Sequence, residues 1–356
     1  MSTLTKPTAR VAKWDNAKFF LILCVVLGHS MASSFMGNGE SMKWVEVILY
    51  SFHMPLFIFI GGLFAKKTVD SVPFRYEKVI SYLLLSLFMK ILNYVVKLIC
   101  LGKASFSLLS DNSVSWYIFA TAIHIMIAHL LRNCKPWKIL ATSFVIAILA
   151  GYVNEIGNVF VLSRIIVFFP IFYLGYMLDP DKLLAFLQKP WVRICSVLVL
   201  IAIFAGFYIT LDKSYYLRRL FTGNNPYYEF GGIWHILGGP LRICSYTISF
   251  LVGTAILSLI PNKRIPLITW SGSRTLTVYA LHRAVQYIIG YSFFDEMFST
   301  TLPRFLLPIL LVYSLALIFL LSTKHFEYVL YPCMHWDKIL APVLNWFRKD
   351  EYKIKK

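Results

Sequence analysis

Along the chain, apolar runs of sixteen to twenty-eight positions alternate with short polar segments. The runs fall at about 17–36, 44–65, 79–100, 114–131, 138–153, 158–178, 191–211, 233–260, 268–290 and 303–323. A helix needs roughly 20 apolar residues to cross a bilayer, and inside the hydrocarbon only a helix or a closed barrel satisfies its own backbone. The pattern therefore predicts an all-α integral membrane protein with about ten transmembrane helices. Two stretches have movable boundaries: 138–153 is the shortest, and 233–260 is over-long and carries Gly238, Gly239 and Pro240 near its start. The division that follows is a cytoplasmic segment 1–16, a membrane domain 17–323 and a basic tail 324–356. The loops are too short to hold a soluble domain with a core of its own.

Charge changes the picture only by fixing orientation. The chain has 35 Lys and Arg against 17 Asp and Glu, a formal net charge of +18. In a soluble chain such an excess suggests nucleic acid, but 58% hydrophobic and 15% charged residues exclude that class, and disordered or collagen-like chains with it. With the N-terminus inside, twenty-four basic residues fall in cytoplasmic segments and six in external ones. Basic loops stay cytoplasmic, so both termini are expected inside, with the bilayer as partner and no nucleic acid. The first run is too long for a signal-peptide core and lacks a small-x-small cleavage site, so it reads as the first span. The six cysteines (24, 100, 134, 195, 244 and 333) leave no plausible pair on the oxidising face, so neither a disulfide nor zinc is expected.

Five basic residues stand inside predicted spans: Lys90, Lys97, Arg164, Arg242 and Arg283. A charge there is costly unless it meets a partner or a wet cavity, and acidic partners are few, with Glu46, Glu155 and Asp15 near span ends. Lys97 and Arg164 lie near enough to the outer face to snorkel. For the others a cavity that attracts an anion is the better account. Lys90, Asn93 and Lys97 share one helix face at i, i+3 and i+7. His29 and His53 reach similar depth from opposite sides, and His282 adjoins Arg283. His124 and His129 read as hydrogen-bonded structural residues.

The first span aligns Asp15, Lys18 and His29. Eleven residues at about 100° each end about 20° past three full turns, so Lys18 and His29 share a stripe, roughly 16 Å apart along the axis. A cation at the cytoplasmic mouth and a potential base at depth suit a long substrate with an anionic head and a reactive far end. Acyl-coenzyme A has that shape. One weak internal echo also exists: Pro55-Leu56-Phe57 before Gly61-Gly62, and Pro170-Ile171-Phe172 before Gly175.

Residues 14–30, WDNAKFFLILCVVLGHS, resemble the opening of acyltransferase family 3 membrane enzymes, in which Asp-x-x-Arg is followed by ten apolar residues and a His. Lys18 stands where the wider family most often has Arg, which keeps the charge and loses the planar fork. SFHMPLFIFIGGLF at 51–64, SWYIF at 115–119, RIIVFFPIFYLGYML at 164–178 and TLTVYALH at 275–282 extend the resemblance over roughly 10–325. His-Met-Pro is most similar to the branch that resembles fucose 4-O-acetylases. The resemblance implies acyl transfer, usually of acetyl, from acyl-CoA as co-substrate to a sugar hydroxyl of a surface polysaccharide or its lipid-linked precursor. No bound cofactor or metal is implied. His29 becomes the catalytic residue, and Asp15 with Lys18 belongs to the donor site, to which Lys90, Arg242 and Arg283 are added as phosphate or oxyanion partners. His53, Trp116, Arg164 and His282 are placed on the acceptor side or the cavity wall. A bacterial inner membrane is the expected location.

Two other classes fit part of the pattern. A secondary transporter or exporter of an anionic or glycan substrate would also show ten spans, buried cations and a helix broken near Gly238–Pro240. A polysaccharide-assembly scaffold would be indifferent to His29. Composition and topology alone favour transport, and the resemblance places acyl transfer first. The acceptor sugar, the acyl length, the side of transfer and the oligomeric state are left open.

Overall fold

The computed structural model describes residues 10–31, 40–110, 114–157, 159–224, 226–289 and 303–341. Among them the chain is helical, with one isolated antiparallel bridge between Ser110 and Val159. Each of the ten apolar stretches contains a helix: α1 Ala12–Met31, α2 Glu40–Leu63, α3 Tyr76–Leu101, α4 Trp116–Leu130, α5 Pro136–Leu149, α6 Leu162–Met177, α7 Pro190–Ile209, α8 Gly238–Leu259, α9 Thr275–Ile289 and α10 Pro303–Leu321, and the start of the stretch 268–290 lies in a separate short helix, Pro266–Gly272. The chain is an all-α membrane protein. Four helices (α2, α3, α7 and α8) are by themselves long and apolar enough to cross a bilayer. The number rises to six if two sharply bent pairs are single spans: α6 with Pro180–Leu187, turned by 90°, and α10 with Lys324–Met334, turned by 64°.

The over-long stretch at 233–260 resolves into a short helix, Gly232–Ile236, and α8, separated at Leu237. The cause is local. A Cβ at Gly238 would run into the Tyr227 ring, and the Gly239 N–H donates to the Tyr152 hydroxyl at 2.9 Å. The Gly-Gly-Pro stretch thus opens α8 directly after a helix break at Leu237, in the place where the sequence reading set one.

Helix α1 is the centre of the bundle. A helix that is apolar on all sides must be buried on all sides, and α1 is buried around nearly its whole circumference by α2, α9, α10 and the short helix Pro266–Gly272. At the periphery, α7 buries little and exposes Ile194, Leu198 and Ile201, apolar side chains suited to lipid. The echo between 55–62 and 170–175 acquires a physical meaning, because α2 and α6 cross there. A Cβ on Gly62 would strike the Phe172 carbonyl, and one on Gly175 would strike the Phe59 carbonyl. Small residues let backbones meet where lipid offers no hydrophobic drive. Gly175→Val should push the helices apart and cost about 1–3 kcal/mol as an overpacking change. Unfolding of the purified protein in detergent would show it as a lowered Tm, with Gly206→Val, where nothing lies within 4 Å of the new Cβ, as the neutral comparison.

Candidate active site

Two polar centres lie at opposite ends of α1. At its first turn, Asp15 is 3% exposed and carries two cations. Arg10 donates to it through Nε at 2.6 Å and Nη2 at 2.8 Å, and Lys18 Nζ lies 2.8 Å from Oδ1, the oxygen that also accepts from Arg10 Nη2. The Asp15 hydrogen bond holds the Arg10 guanidinium above its usual value. One carboxylate against two cations leaves a net positive mouth, and the Lys18 side chain stays 26% exposed.

The neighbours of this mouth explain why it stays in place. Asn16 Nδ2 donates to the Pro261 carbonyl at 3.0 Å and the Lys263 carbonyl at 2.9 Å, and Thr269 Oγ1 donates to Asn16 Oδ1 at 2.7 Å. Lys13 Nζ donates to the Ile260 carbonyl at 2.6 Å, just past the end of α8; cations favour helix C-termini. Gly272 sits against the Asp15 backbone, where a Cβ would collide with the Asp15 carbonyl. Sequence reasoning missed Lys13 and Asn16. Their polar character at the buried start of an otherwise apolar helix was the available signal.

At the other end, His29 lies in the last turn of α1, half-buried. The His282 ring of α9 lies against it, with centroids 5.4 Å apart and planes tilted by 36°. Arg283 Nη1 donates to the His29 carbonyl at 3.1 Å and to Gln286 Oε1 at 3.4 Å. Gln286 Nε2 in turn donates to the Val26 carbonyl at 3.0 Å and to Ser30 Oγ at 2.8 Å. Residues 282, 283 and 286 fall on one face of α9, and that face is bolted to the last two turns of α1. His53 Nδ1 is bonded to the Leu49 carbonyl, and its ring lies 5.4 Å from Tyr50.

The wall beyond is aromatic. The Arg164 guanidinium lies 4.8 Å from the Trp116 ring centroid, and Trp116 stacks on Phe168 at 5.6 Å. Tyr117 meets Tyr279 at 5.1 Å, and the Tyr279 hydroxyl donates to the Val114 carbonyl.

The structure brings together His29, His282 and Arg283, sets Arg164 against Trp116, and ties His53 to Leu49 and Tyr50 of its own helix. It does not bring together the full donor set read from the sequence. Asp15 and Lys18 hold one end of α1 and Arg283 the other. Arg242 is elsewhere, 2% exposed, donating through Nη1 to the Leu220 carbonyl and lying 5.7 Å from the Tyr227 ring centroid. It ties α8 to the segment before it. Lys90 donates to the Leu108 carbonyl at 2.9 Å, and Lys97 lies 5.0 Å from the Tyr287 ring, which Arg283 covers at 4.4 Å. Asn93, between the two lysines, is buried as their shared face required. His124 bonds to the Ile165 carbonyl at 2.9 Å and His129 to the Val69 carbonyl at 2.6 Å, consistent with structural roles. Gln286 and Tyr50 were missed by sequence reasoning; each lies three or four residues from a histidine singled out there. Among the described residues no group of three His, Cys, Asp or Glu side chains is placed to hold a metal.

The arrangement supplies a cationic mouth, an apolar stretch of α1 about 16 Å long from Lys18 to His29, and a histidine pair with Arg283 beside it at the far end. Such a pair moves protons, and such a cation stabilises a developing oxyanion. Compared with known families, residues 11–323 match the model of the acyltransferase domain. The match covers most of the chain, so the chain belongs to this acyltransferase family and is a multi-pass membrane acyltransferase. No curated protein and no solved structure matches it.

Proposed function

We propose that this membrane acyltransferase moves an acyl group, acetyl in the first instance, from acyl-CoA to a sugar hydroxyl of a surface polysaccharide or its lipid-linked precursor. The observation that carries this reading is the single helix α1, with Asp15, Arg10 and Lys18 at one end and His29 beside His282 and Arg283 at the other. Donor phosphates would pair with the exposed side of Lys18 at the cytoplasmic mouth. The pantetheine arm would follow α1 and bring the thioester to His29. A sugar hydroxyl is a weak nucleophile near neutral pH, so His29 would take its proton as the oxygen attacks the acyl carbon. The carbon–sulfur bond then breaks, and the proton passes from His29 to the departing sulfur. Arg283 and Arg164 would hold the oxyanion in between, and the aromatic wall around Trp116 would stack on the sugar. The location that goes with this reading is a bacterial inner membrane.

The test is transfer of radiolabelled acetyl from acetyl-CoA into membrane glycan by membranes that carry or lack the protein. Label that depends on the protein supports the reading; none, across acetyl and succinyl donors, overturns it. Lys18→Met should raise the KM for acetyl-CoA about tenfold or more, since a hydrogen bond to a charged group contributes about 1.5–3 kcal/mol, while kcat holds. Lys18→Arg should bind at least as well. Addition of salt should weaken donor binding in the native protein more than in Lys18→Met.

A further inference from the structure

His282 is 0% exposed, and its two ring nitrogens stand in unlike surroundings. Nδ1 lies 2.9 Å from the Tyr279 carbonyl and 3.1 Å from the Val278 carbonyl. A carbonyl oxygen only accepts, so Nδ1 must carry the proton. In the neutral ring Nε2 is then a bare lone pair. Among the described residues that lone pair has no partner, although buried polar atoms nearly always find one. The neighbour that fits is His29, whose ring centroid lies 5.4 Å away. Two imidazoles hydrogen-bonded nitrogen to nitrogen stand at about that spacing, so a turn of the half-buried His29 ring brings one of its nitrogens to Nε2.

We propose that His282 is the positioning residue for His29. Its Nε2 accepts the ring N–H of His29, which fixes the His29 tautomer so that the opposite nitrogen presents its lone pair to the acceptor hydroxyl. When His29 takes that proton, Nε2 stabilises the imidazolium, the part an aspartate plays in a serine-protease triad. Among the described residues, the His282 ring lies against the His29 ring and Arg283 holds the His29 carbonyl, and no ion pair brings a carboxylate to His29. A neutral acceptor with its own proton anchored on backbone carbonyls is therefore the group this site provides. The proposal rests on acyl transfer as the reaction.

Asparagine and glutamine separate the two nitrogens. The His282→Asn variant keeps a donor where Nδ1 stood and has nothing at the place of Nε2. The His282→Gln variant sets an amide oxygen near the place of Nε2 and gives up the backbone bonds. Native protein, His282→Asn, His282→Gln and His29→Gln would be compared at matched abundance and matched thermal unfolding, with radiolabelled acetyl-CoA as donor and membrane glycan as acceptor. His282→Asn is expected to lose on the order of 10² in kcat with the acetyl-CoA KM unchanged. His282→Gln is expected to keep roughly a tenth of the native kcat, and its pH profile should shift because the imidazolium loses part of its support. A merely structural role reverses the order, with Asn tolerated and Gln not. That order, or equal activity in the two variants, overturns the proposal. Absence of transfer by the native protein instead overturns the acyltransfer reading itself, and the proposal with it.

Discussion

His29→Gln is expected to abolish acetyl transfer, with a loss on the order of 10³-fold or more, while the protein accumulates and unfolds as the native does. General acid–base groups typically contribute about 10² to 10⁴, and here one ring would both take the hydroxyl proton and return it to sulfur. The substitution should spare the fold for a specific reason. Arg283 binds the main-chain carbonyl of residue 29, and Gln286 binds Val26 and Ser30, so these hydrogen bonds of the α1–α9 junction survive the loss of the His29 ring. Glutamine also suits a helix. Labelled acetyl-CoA and membrane glycan give the readout. Label that is equal in native and variant membranes would remove His29 from the mechanism. A transporter would keep part of its flux through such a change, since flux needs no base aligned with a mouth cation.

Much of the helical plan was legible because its signal is strong and local. Each apolar stretch contains a helix, but 233–260 and 268–290 are each divided into a short helix and a longer one, and no single-chain pattern reveals that the Tyr227 ring occupies the space where Gly238 has no side chain. The same limit applies to the echo of Pro, Phe and Gly in α2 and α6. Repetition was visible, but only the crossing shows that each glycine receives a carbonyl of the other helix. At the site, the stripe of Asp15, Lys18 and His29 follows from helix periodicity alone. Which cation from another helix joins which end does not, because it depends on how helices pack. Arg242 and Arg283 look alike in sequence, each a lone guanidinium in an apolar run. One closes on Leu220 and Tyr227, and the other reaches His29.

That difference leads to the second large effect, at Arg283. The sequence leaves Arg283 between the donor phosphates and the oxyanion, and the structure sets it beside His29, at the end of α1 remote from Lys18. Its Nη1 is engaged by the His29 carbonyl and Gln286, and its plane lies over Tyr287. The rest of the fork stays available for an oxyanion that forms next to His29. Arg283→Met should therefore lower kcat about 10²- to 10³-fold, the loss of about 2.7–4 kcal/mol that follows removal of one oxyanion donor. The KM for acetyl-CoA should change little, because the phosphates are held at the Lys18 mouth. Arg283→Lys should recover only part of the rate, as an ammonium restores the charge but cannot bind the His29 carbonyl and an oxyanion in one plane. Steady-state kinetics on the two variants, with Lys18→Met alongside, gives a double dissociation: KM moves at one end of α1 and kcat at the other. A raised KM with native kcat in Arg283→Met would return Arg283 to the donor phosphates and place the thioester away from His29.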